Sequence, residues 1–128
     1  MKPYSILLVD DDADDQLFFI EALNTIDHSL ECDVACNGVE AIGYLSRLKK
    51  LPAVIFLDLN MPMMNGYECL EAIRRQEVFS EIPIIVLTTS SNRVEAERTK
   101  KLGADTFITK TADLRMFRHQ LNEILMGI

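Results

Sequence analysis

Three short runs of apolar residues, separated by stretches with helical periodicity, constrain the fold of this chain more than any other feature. The runs are SILLVD at 5–10, AVIFLD at 53–58 and PIIVLT at 83–88. A strand that is apolar on both faces must be covered on both faces, which is typical of a parallel sheet between two layers of helices. The runs therefore predict an α/β protein with a central parallel sheet.

Two weaker strands and five helices complete the predicted pattern. ECDVAC at 31–36 alternates in polarity and predicts an edge strand, and DTFITK at 105–110 predicts the last strand. Apolar residues spaced three and four apart predict helices between and after the strands, at 14–26, 37–48, 66–76, 93–103 and 113–127. No linker or repeat interrupts this alternation, so we expect one domain over residues 1–128.

Charge and composition exclude several classes of protein. The net charge is −7, and much of the acidic excess lies in DDDADD at 10–15, which argues against a nucleic-acid surface and favours a divalent cation. No apolar run approaches the ~18 residues of a membrane helix, and the start lacks a secretory signal, so we expect a cytoplasmic protein without a membrane span. Cys32, Cys36 and Cys69 lack zinc-site spacing and are expected to be buried thiols.

Polar side chains close four of the predicted strands. Because the carboxyl ends of parallel strands share one edge of a sheet, these side chains are expected to meet at that edge. Each of them alone has a structural explanation, as a helix cap or a loop residue, but their convergence indicates a site. The residues are Asp10, Asp11 and Asp12 after the first strand, Asp58 after the third, Thr88 after the fourth and Lys110 after the fifth.

These groups suit phosphoryl transfer to a carboxylate. Clustered carboxylates bind a hard cation, and Mg²⁺ needs only one or two protein acids in addition to phosphate oxygens and water. A carboxylate such as Asp58 can attack phosphorus and form an aspartyl phosphate. A cation and a lysine then offset the charge of the transferred group, and a hydroxyl such as that of Thr88 can bond a phosphate oxygen.

Four motifs in this order resemble the response-regulator receiver domain of bacterial two-component signalling. They are LLVDDD, FLDLNMPMMNG, PIIVLTTSS and GADTFITK, which together span residues 5–110. Two segments, DDQLFFIEAL and LDLNMPMMNGYECL, are weakly similar to the single-domain receivers that serve phytochrome-like histidine kinases. The resemblance implies a flavodoxin-like, doubly wound (βα)5 fold with strand order 2-1-3-4-5.

The resemblance also implies a role for each strand-end residue. Asp58 corresponds to the phosphoacceptor, Thr88 to the switch hydroxyl and Lys110 to the amine that pairs with the phosphate. The Mg²⁺ ligands it implies are Asp10, Asp11, Asp58 and the backbone carbonyl of Asn60.

Further positions match the family pattern around this set. Phe107 matches the aromatic switch residue, Pro62 and Gly66 match the fixed turn after the acceptor, and Asp12 is an extra acid. We expect the chain to phosphorylate itself from small phosphodonors and to lose the group slowly.

The implied partners are proteins. A sensor histidine kinase or a phosphotransfer domain would supply the phosphoryl group. Without an output domain, the signal would leave through contacts with a downstream protein. The last two helices and the last strand are the expected exit surface and the expected surface of a homodimer, with Met116 and His119 facing outward.

Three departures from the family pattern leave an alternative open. Thr111 and Ala112 stand where the family usually has Pro and an aromatic residue, and Thr89 stands where Ala or Gly is common. The bond before Thr111 is expected to be trans, because no proline lowers the cost of the cis form. A degenerate receiver that acts only as a protein-interaction module is therefore the main alternative, although no acid and no lysine of the motif is lost.

Two other classes fit less well. Phosphatases of the haloacid-dehalogenase type use an Asp nucleophile with a second Asp two residues later, where this chain has Asn60. A flavodoxin-like binding module would need a loop rich in Ser, Thr and Gly after the first strand, and that loop is acidic here.

Overall fold

A five-stranded parallel sheet forms the centre of the computed structural model, which describes residues 5–48, 50–59, 61, 64–89 and 92–127. The strands lie in the order β2-β1-β3-β4-β5, so the predicted topology is confirmed and β2 is an edge strand. Their bounds are Ser5–Val9 for β1, Glu31–Ala35 for β2, Val54–Asp58 for β3, Ile84–Thr88 for β4 and Thr106–Thr109 for β5.

Five helices connect and cover the strands, and each begins directly after an Asp or Asn. Their bounds are Ala13–Ile26 for α1, Gly38–Arg47 for α2, Gly66–Arg75 for α3, Arg93–Lys101 for α4 and Leu114–Met126 for α5. A short 3-10 turn, Glu77–Phe79, lies between α3 and β4. The N-cap side chains accept hydrogen bonds from backbone N–H groups that the first helical turn leaves unpaired. The caps are Asp12, Asn37, Asn65, Asn92 and Asp113.

Apolar residues of the sheet divide between two cores, one on each face. Leu7, Ile55 and Val86 belong to the core shared with α2 and α3, while their neighbours along each strand belong to the core shared with α1 and α5. In the second core Phe19 packs edge-on against Phe56, with ring centroids 4.9 Å apart. Burial on both faces explains why the three apolar runs do not alternate in polarity.

Helix α4 is held to the rest of the fold by few buried contacts. All nine of its residues are described, and Thr99 is the one that is buried. Its outer part is tied to α3 by the guanidinium of Arg98, which lies 3.8 Å from the centroid of the Tyr67 ring. Gly103, two residues after the helix, has a φ of 110°, a conformation that glycine adopts without a steric penalty.

The expectation of three buried thiols is wrong for one of them. Cys69 is buried and Cys32 is partly buried, but Cys36 is exposed because it lies just past the end of β2, where the chain turns toward α2. Burial raises the pKa of the Cys69 thiol to about 12.

Within the described residues, none of the helices combines the length and apolar character that crossing a membrane requires.

The side chain of Arg74 forms hydrogen bonds at the edge of the sheet that lies opposite the strand-end acids. This side chain is 17% exposed. Its guanidinium donates to the carbonyl oxygens of Phe79, Ile82 and Gly103 at 3.0, 2.8 and 2.9 Å, and to Asp105 Oδ2 at 3.1 Å. The same Asp105 oxygen accepts from the N–H of Ile84, the first residue of β4. One side chain therefore joins α3 to the starts of β4 and β5.

We expect the substitution Arg74→Met to lower the free energy of unfolding by roughly 2–4 kcal/mol, because it leaves several carbonyl oxygens and a carboxylate without their charged donor. Chemical denaturation followed by circular dichroism measures this. The matched control is Arg75→Met, whose side chain is 72% exposed and pairs only with Glu71 of the same helix in the described part of the chain. It should cost about 0.5 kcal/mol or less. Equal losses in the two variants would contradict the role given to Arg74.

Candidate functional site

Three carboxylates meet at the carboxyl edge of the sheet. Asp10 follows β1, Asp11 comes next, and Asp58 is the last residue of β3. One carboxylate oxygen from each lies within 4.8 Å of the others. Asp10 and Asp58 are 1% and 4% exposed, whereas Asp11 is open to solvent. The sheet topology produces this cluster, because β1 and β3 are neighbours and point the same way.

The Lys110 amine lies among the acids of this edge. Its Nζ is 3.4 Å from Asp58 Oδ1, 3.3 Å from Asp10 Oδ2 and 2.9 Å from Asp15 Oδ2. Lys110 comes directly after β5, and its side chain, which is 18% exposed, extends to the cluster. The structure therefore brings together Asp10, Asp58 and Lys110, which are separated by up to 100 residues in the chain.

Burial and the neighbouring charges set the protonation of these groups. Burial raises the pKa of Asp10, while the N–H of Asp12 and the positive charge of Lys110 act in the opposite direction. Burial alone would lower the pKa of Lys110, but its hydrogen bond to Asp15 and the charges of Asp58 and Asp10 outweigh that effect and raise it. Lys110 is therefore a fixed positive charge at neutral pH.

Asp15 is a site residue that the sequence interpretation missed. In the sequence it is one of five acids in DDDADD, yet its carboxylate lies closer to the Lys110 amine than those of Asp10 and Asp58. The signal was available: α1 begins at the carboxyl edge of β1, so the first turn of α1 must lie beside the strand ends. Asp12, the extra acid of the sequence, is the N-cap of α1 and accepts from the N–H of Asp14 and Asp15.

Thr88 and Phe107 lie on the strands next to the cluster. Thr88 is fully buried at the end of β4, and its carbonyl accepts from the N–H of Lys110 at 2.6 Å. Phe107 is partly buried in β5, beside Val86, and packs against the core under α2 and α3. The hydrogen bond from the Lys110 N–H to the Thr88 carbonyl fixes the position of the Lys110 backbone, and with it the base of the side chain.

The turn after Asp58 is held by the close approach of two backbone segments. The N–H of Gly66 donates to the carbonyl of Leu59 at 2.9 Å. A Cβ at Gly66 would lie 2.4 Å from Leu59 Cα and 2.6 Å from the Asp58 carbonyl oxygen, so only glycine fits. Asn60 and Pro62, both assigned parts at this turn, lie outside the described residues.

The three departures from the expected pattern have simple local structures. The described backbone contains no cis bond, so the bond before Thr111 is trans as predicted. Thr111 Oγ1 accepts from the N–H of Asp113, the N-cap of α5, at 3.1 Å. Ala112 and Thr89 are exposed. The predicted outward positions of Met116 and His119 are confirmed, because both residues are exposed.

The donor set fits a hard divalent cation. Three carboxylates within reach of one another offer oxygen ligands only, and two of them are buried, so their repulsion is poorly screened by water. Lys110 offsets part of this repulsion but supplies no ligand atom, because an ammonium has no lone pair. Asp10, Asp11 and Asp58 are thus the described residues that could hold Mg²⁺.

Comparison with known proteins gives consistent matches over nearly the whole chain. A family model described as the response regulator receiver domain matches residues 6–122. Response regulator Rcp1 of Synechocystis sp. is 33% identical over 120 residues, which cover 88% of this chain and 80% of that protein. A chemotaxis protein CheY homolog of Campylobacter jejuni is 29% identical over 122 residues, which cover 94% of this chain and 91% of the homolog.

Solved structures agree with these matches. The phosphorylated cyanobacterial phytochrome response regulator RcpA aligns with a TM-score of 0.86 and 30% identity, covering 96% of this chain and 91% of its own. The Mn²⁺-bound form of response regulator Rcp1 aligns with a TM-score of 0.82 and 30% identity, covering 95% and 91%.

The close approach at Gly66 generates a stability prediction. Gly66→Ala should lower the free energy of unfolding by about 1–3 kcal/mol, because the new methyl group would press against the backbone of Leu59. Thermal and urea unfolding measure this. The control is Gly43→Ala in α2, where the nearest atom is the Arg47 side chain at 3.5 Å. It should stabilise the helix by about 0.5–1 kcal/mol, and the same gain at Gly66 would show that the turn is loose.

Proposed function

The chain belongs to the family of response regulator receiver domains, and we propose that it accepts a phosphoryl group on Asp58 with the help of Mg²⁺. The observation that carries this proposal is the setting of Asp58. Its carboxylate is buried at the end of β3, 3.4 Å from the Lys110 amine and within reach of two further acids. Rcp1, which has a Mn²⁺-bound form, and RcpA, crystallised phosphorylated, support the same chemistry.

The side chains of this edge would divide the reaction among them. An Asp58 oxygen forms a bond to phosphorus as the bond from phosphorus to the donor breaks, and the electron pair of that bond leaves with the donor. Lys110 keeps its proton and donates hydrogen bonds to the phosphoryl oxygens, which offsets their charge. Mg²⁺, held by Asp10, Asp11 and Asp58, would supply further positive charge when bound. Asn60 is proposed to add its backbone carbonyl to these ligands.

Thr88 and Phe107 are proposed to convert the new charge into a change of shape. The phosphoryl group brings about −1.5 to −2 charges and three acceptor oxygens. The hydroxyl of Thr88, at the end of the strand next to Asp58, can donate to one of those oxygens. Its movement would open space for the ring of Phe107, which already packs against the core. Unlike Tyr, Phe has no hydroxyl that would give up a hydrogen bond to water on turning inward. Turning the Phe107 ring inward therefore costs little free energy before phosphorylation.

The partners follow from this chemistry and remain proposals. A histidine kinase or phosphotransfer domain would donate the group, and a downstream protein would read the surface of α4, β5 and α5. A homodimer through that surface and a cytoplasmic location are further parts of the proposal. The alternative of a degenerate receiver would be favoured by a Lys110 side chain turned to solvent, and the amine instead lies beside Asp58.

Phosphorylation by a small donor tests the proposal directly. Acetyl phosphate with Mg²⁺ should add one phosphoryl group that is labile to base and to hydroxylamine, as an acyl phosphate is. Intact-mass spectrometry measures it. Asp58→Asn should abolish the label, while Asp14→Asn, which changes an exposed acid of the same segment, should keep it. A fully labelled Asp58→Asn variant would refute the assignment.

Cation binding gives a separate prediction. At about ten times its dissociation constant, Mg²⁺ should stabilise the native state by ~1.4 kcal/mol, because it relieves the repulsion among Asp10, Asp11 and Asp58. Thermal unfolding with MgCl₂ or with EDTA measures the shift. Asp11→Asn should remove most of it, and Asp14→Asn should preserve it. An unchanged melting temperature of the unsubstituted protein in millimolar Mg²⁺ would count against the cation site.

A further inference from the structure

We propose that Asp15 is a positioning residue that holds the Lys110 amine beside Asp58 during phosphoryl transfer. The inference rests on the proposed function and adds a residue to it. Asp15 Oδ2 lies 2.9 Å from Lys110 Nζ, closer than the oxygens of Asp10 at 3.3 Å and Asp58 at 3.4 Å. A charged hydrogen bond of this length is among the stronger ones in proteins.

The other two carboxylates that contact Lys110, those of Asp10 and Asp58, have other roles in the proposed reaction. Asp58 would carry the phosphoryl group, and Asp10 would face the cation. Of the three described carboxylates that pair with Lys110, Asp15 is therefore the one that can keep its hydrogen bond throughout the reaction. An ammonium has three hydrogens, so Lys110 can donate to Asp15 and still direct the others at phosphoryl oxygens.

Asp15 is itself held in place. Its N–H donates to the N-cap Asp12 at 3.1 Å, and the N–H of Asp12 donates to Asp10 Oδ1 at 3.0 Å. The carboxylate is thus attached to the first turn of α1, a rigid element, rather than to a loop. Lys110 is tied through it to the segment that carries the cation ligands.

The side chains around the Lys110 amine offer it few other hydrogen-bond acceptors. A cavity of about 40 Å³ lies behind Lys110 and Asp15, between α1 and α5. Apart from Asp10, Asp15, Lys110 and Thr111, the side chains that border the cavity are apolar and offer an ammonium no acceptor. They are Leu8, Phe18, Phe19, Leu87 and Phe117.

The orienting effect comes from the hydrogen bond more than from the charge. The Asp15 side chain is 46% exposed, so water screens its charge. A lysine stem is flexible, and Thr111 stands after Lys110 where the family pattern usually has a rigid proline. A second anchor at the amine compensates for that freedom by reducing the number of positions the amine can take.

The test separates the hydrogen bond from the charge. The variants are Asp15→Ala, Asp15→Asn and the control Asp14→Asn, and the rate constant of labelling is measured across acetyl phosphate concentrations at saturating Mg²⁺. In the labelling step the Asp58 oxygen–phosphorus bond forms as the phosphorus–oxygen bond to acetate breaks, and acetate leaves with the electron pair.

Asp15→Ala should lower the maximal rate constant about tenfold, the effect of one lost charged hydrogen bond, with the half-saturating donor concentration unchanged. Asp15→Asn keeps an acceptor oxygen and should return the rate constant to within about threefold of the unsubstituted protein. Asp14→Asn should have no effect. A rate constant unchanged in Asp15→Ala, or equally low in both Asp15 variants, would overturn the proposal.

A second measurement needs no phosphodonor. The ammonium signal of Lys110 in ¹⁵N-labelled protein should exchange slowly with water in the unsubstituted protein, in Asp14→Asn and in Asp15→Asn, and should broaden in Asp15→Ala. The same slow exchange in Asp15→Ala would refute the contact. If the unsubstituted protein takes no label, the proposed function fails, and this signal still decides whether Asp15 holds the amine.

Discussion

The ion pairs of Lys110 are the interaction on which the acidic edge depends. Asp10 and Asp58 are almost fully buried, and two carboxylates in a poorly solvated place repel each other strongly. An ammonium placed between them turns that repulsion into attraction, and the half-exposed Asp15 accepts a further hydrogen bond from it. The lysine follows the last strand, so the acids acquire their partner only when the whole sheet has formed. The edge is therefore a product of tertiary structure, although each of its residues lies at a strand or helix end.

Much of the fold could be predicted from the sequence because the signals were local. Short apolar runs predict β1, β3 and β4, and the spacing of apolar residues predicts the helices. Asn37 and Asp113 lay at predicted starts of helices and are their N-caps. The convergence of Asp10, Asp58 and Lys110 also followed, because parallel strands share one carboxyl edge. The family resemblance then supplied the strand order, which no local pattern contains.

The roles of the individual acids could not be predicted, because they depend on three-dimensional geometry that the sequence does not show. The sequence shows five acids within six residues, 10–15, and does not show which one caps a helix and which one reaches a lysine. The structure assigns the cap to Asp12 and the contact to Asp15, because the start of α1 turns one inward to the backbone and the other toward β5. The exposure of Cys36 has a similar cause, since β2 ends one residue before it.

The five N-caps have an electrostatic consequence at the same edge. In a sheet of parallel strands each followed by a helix, every helix starts at the carboxyl end of a strand, so the N-termini of the five described helices lie on the side of the sheet that carries the acidic cluster. Each carries roughly half a positive charge from its aligned peptide dipoles. The caps Asp12, Asn37, Asn65, Asn92 and Asp113 fix these ends and occupy part of their free N–H groups. These partial positive charges offset part of the local negative charge that Asp10, Asp11 and Asp58 place at this edge of a chain whose net charge is −7.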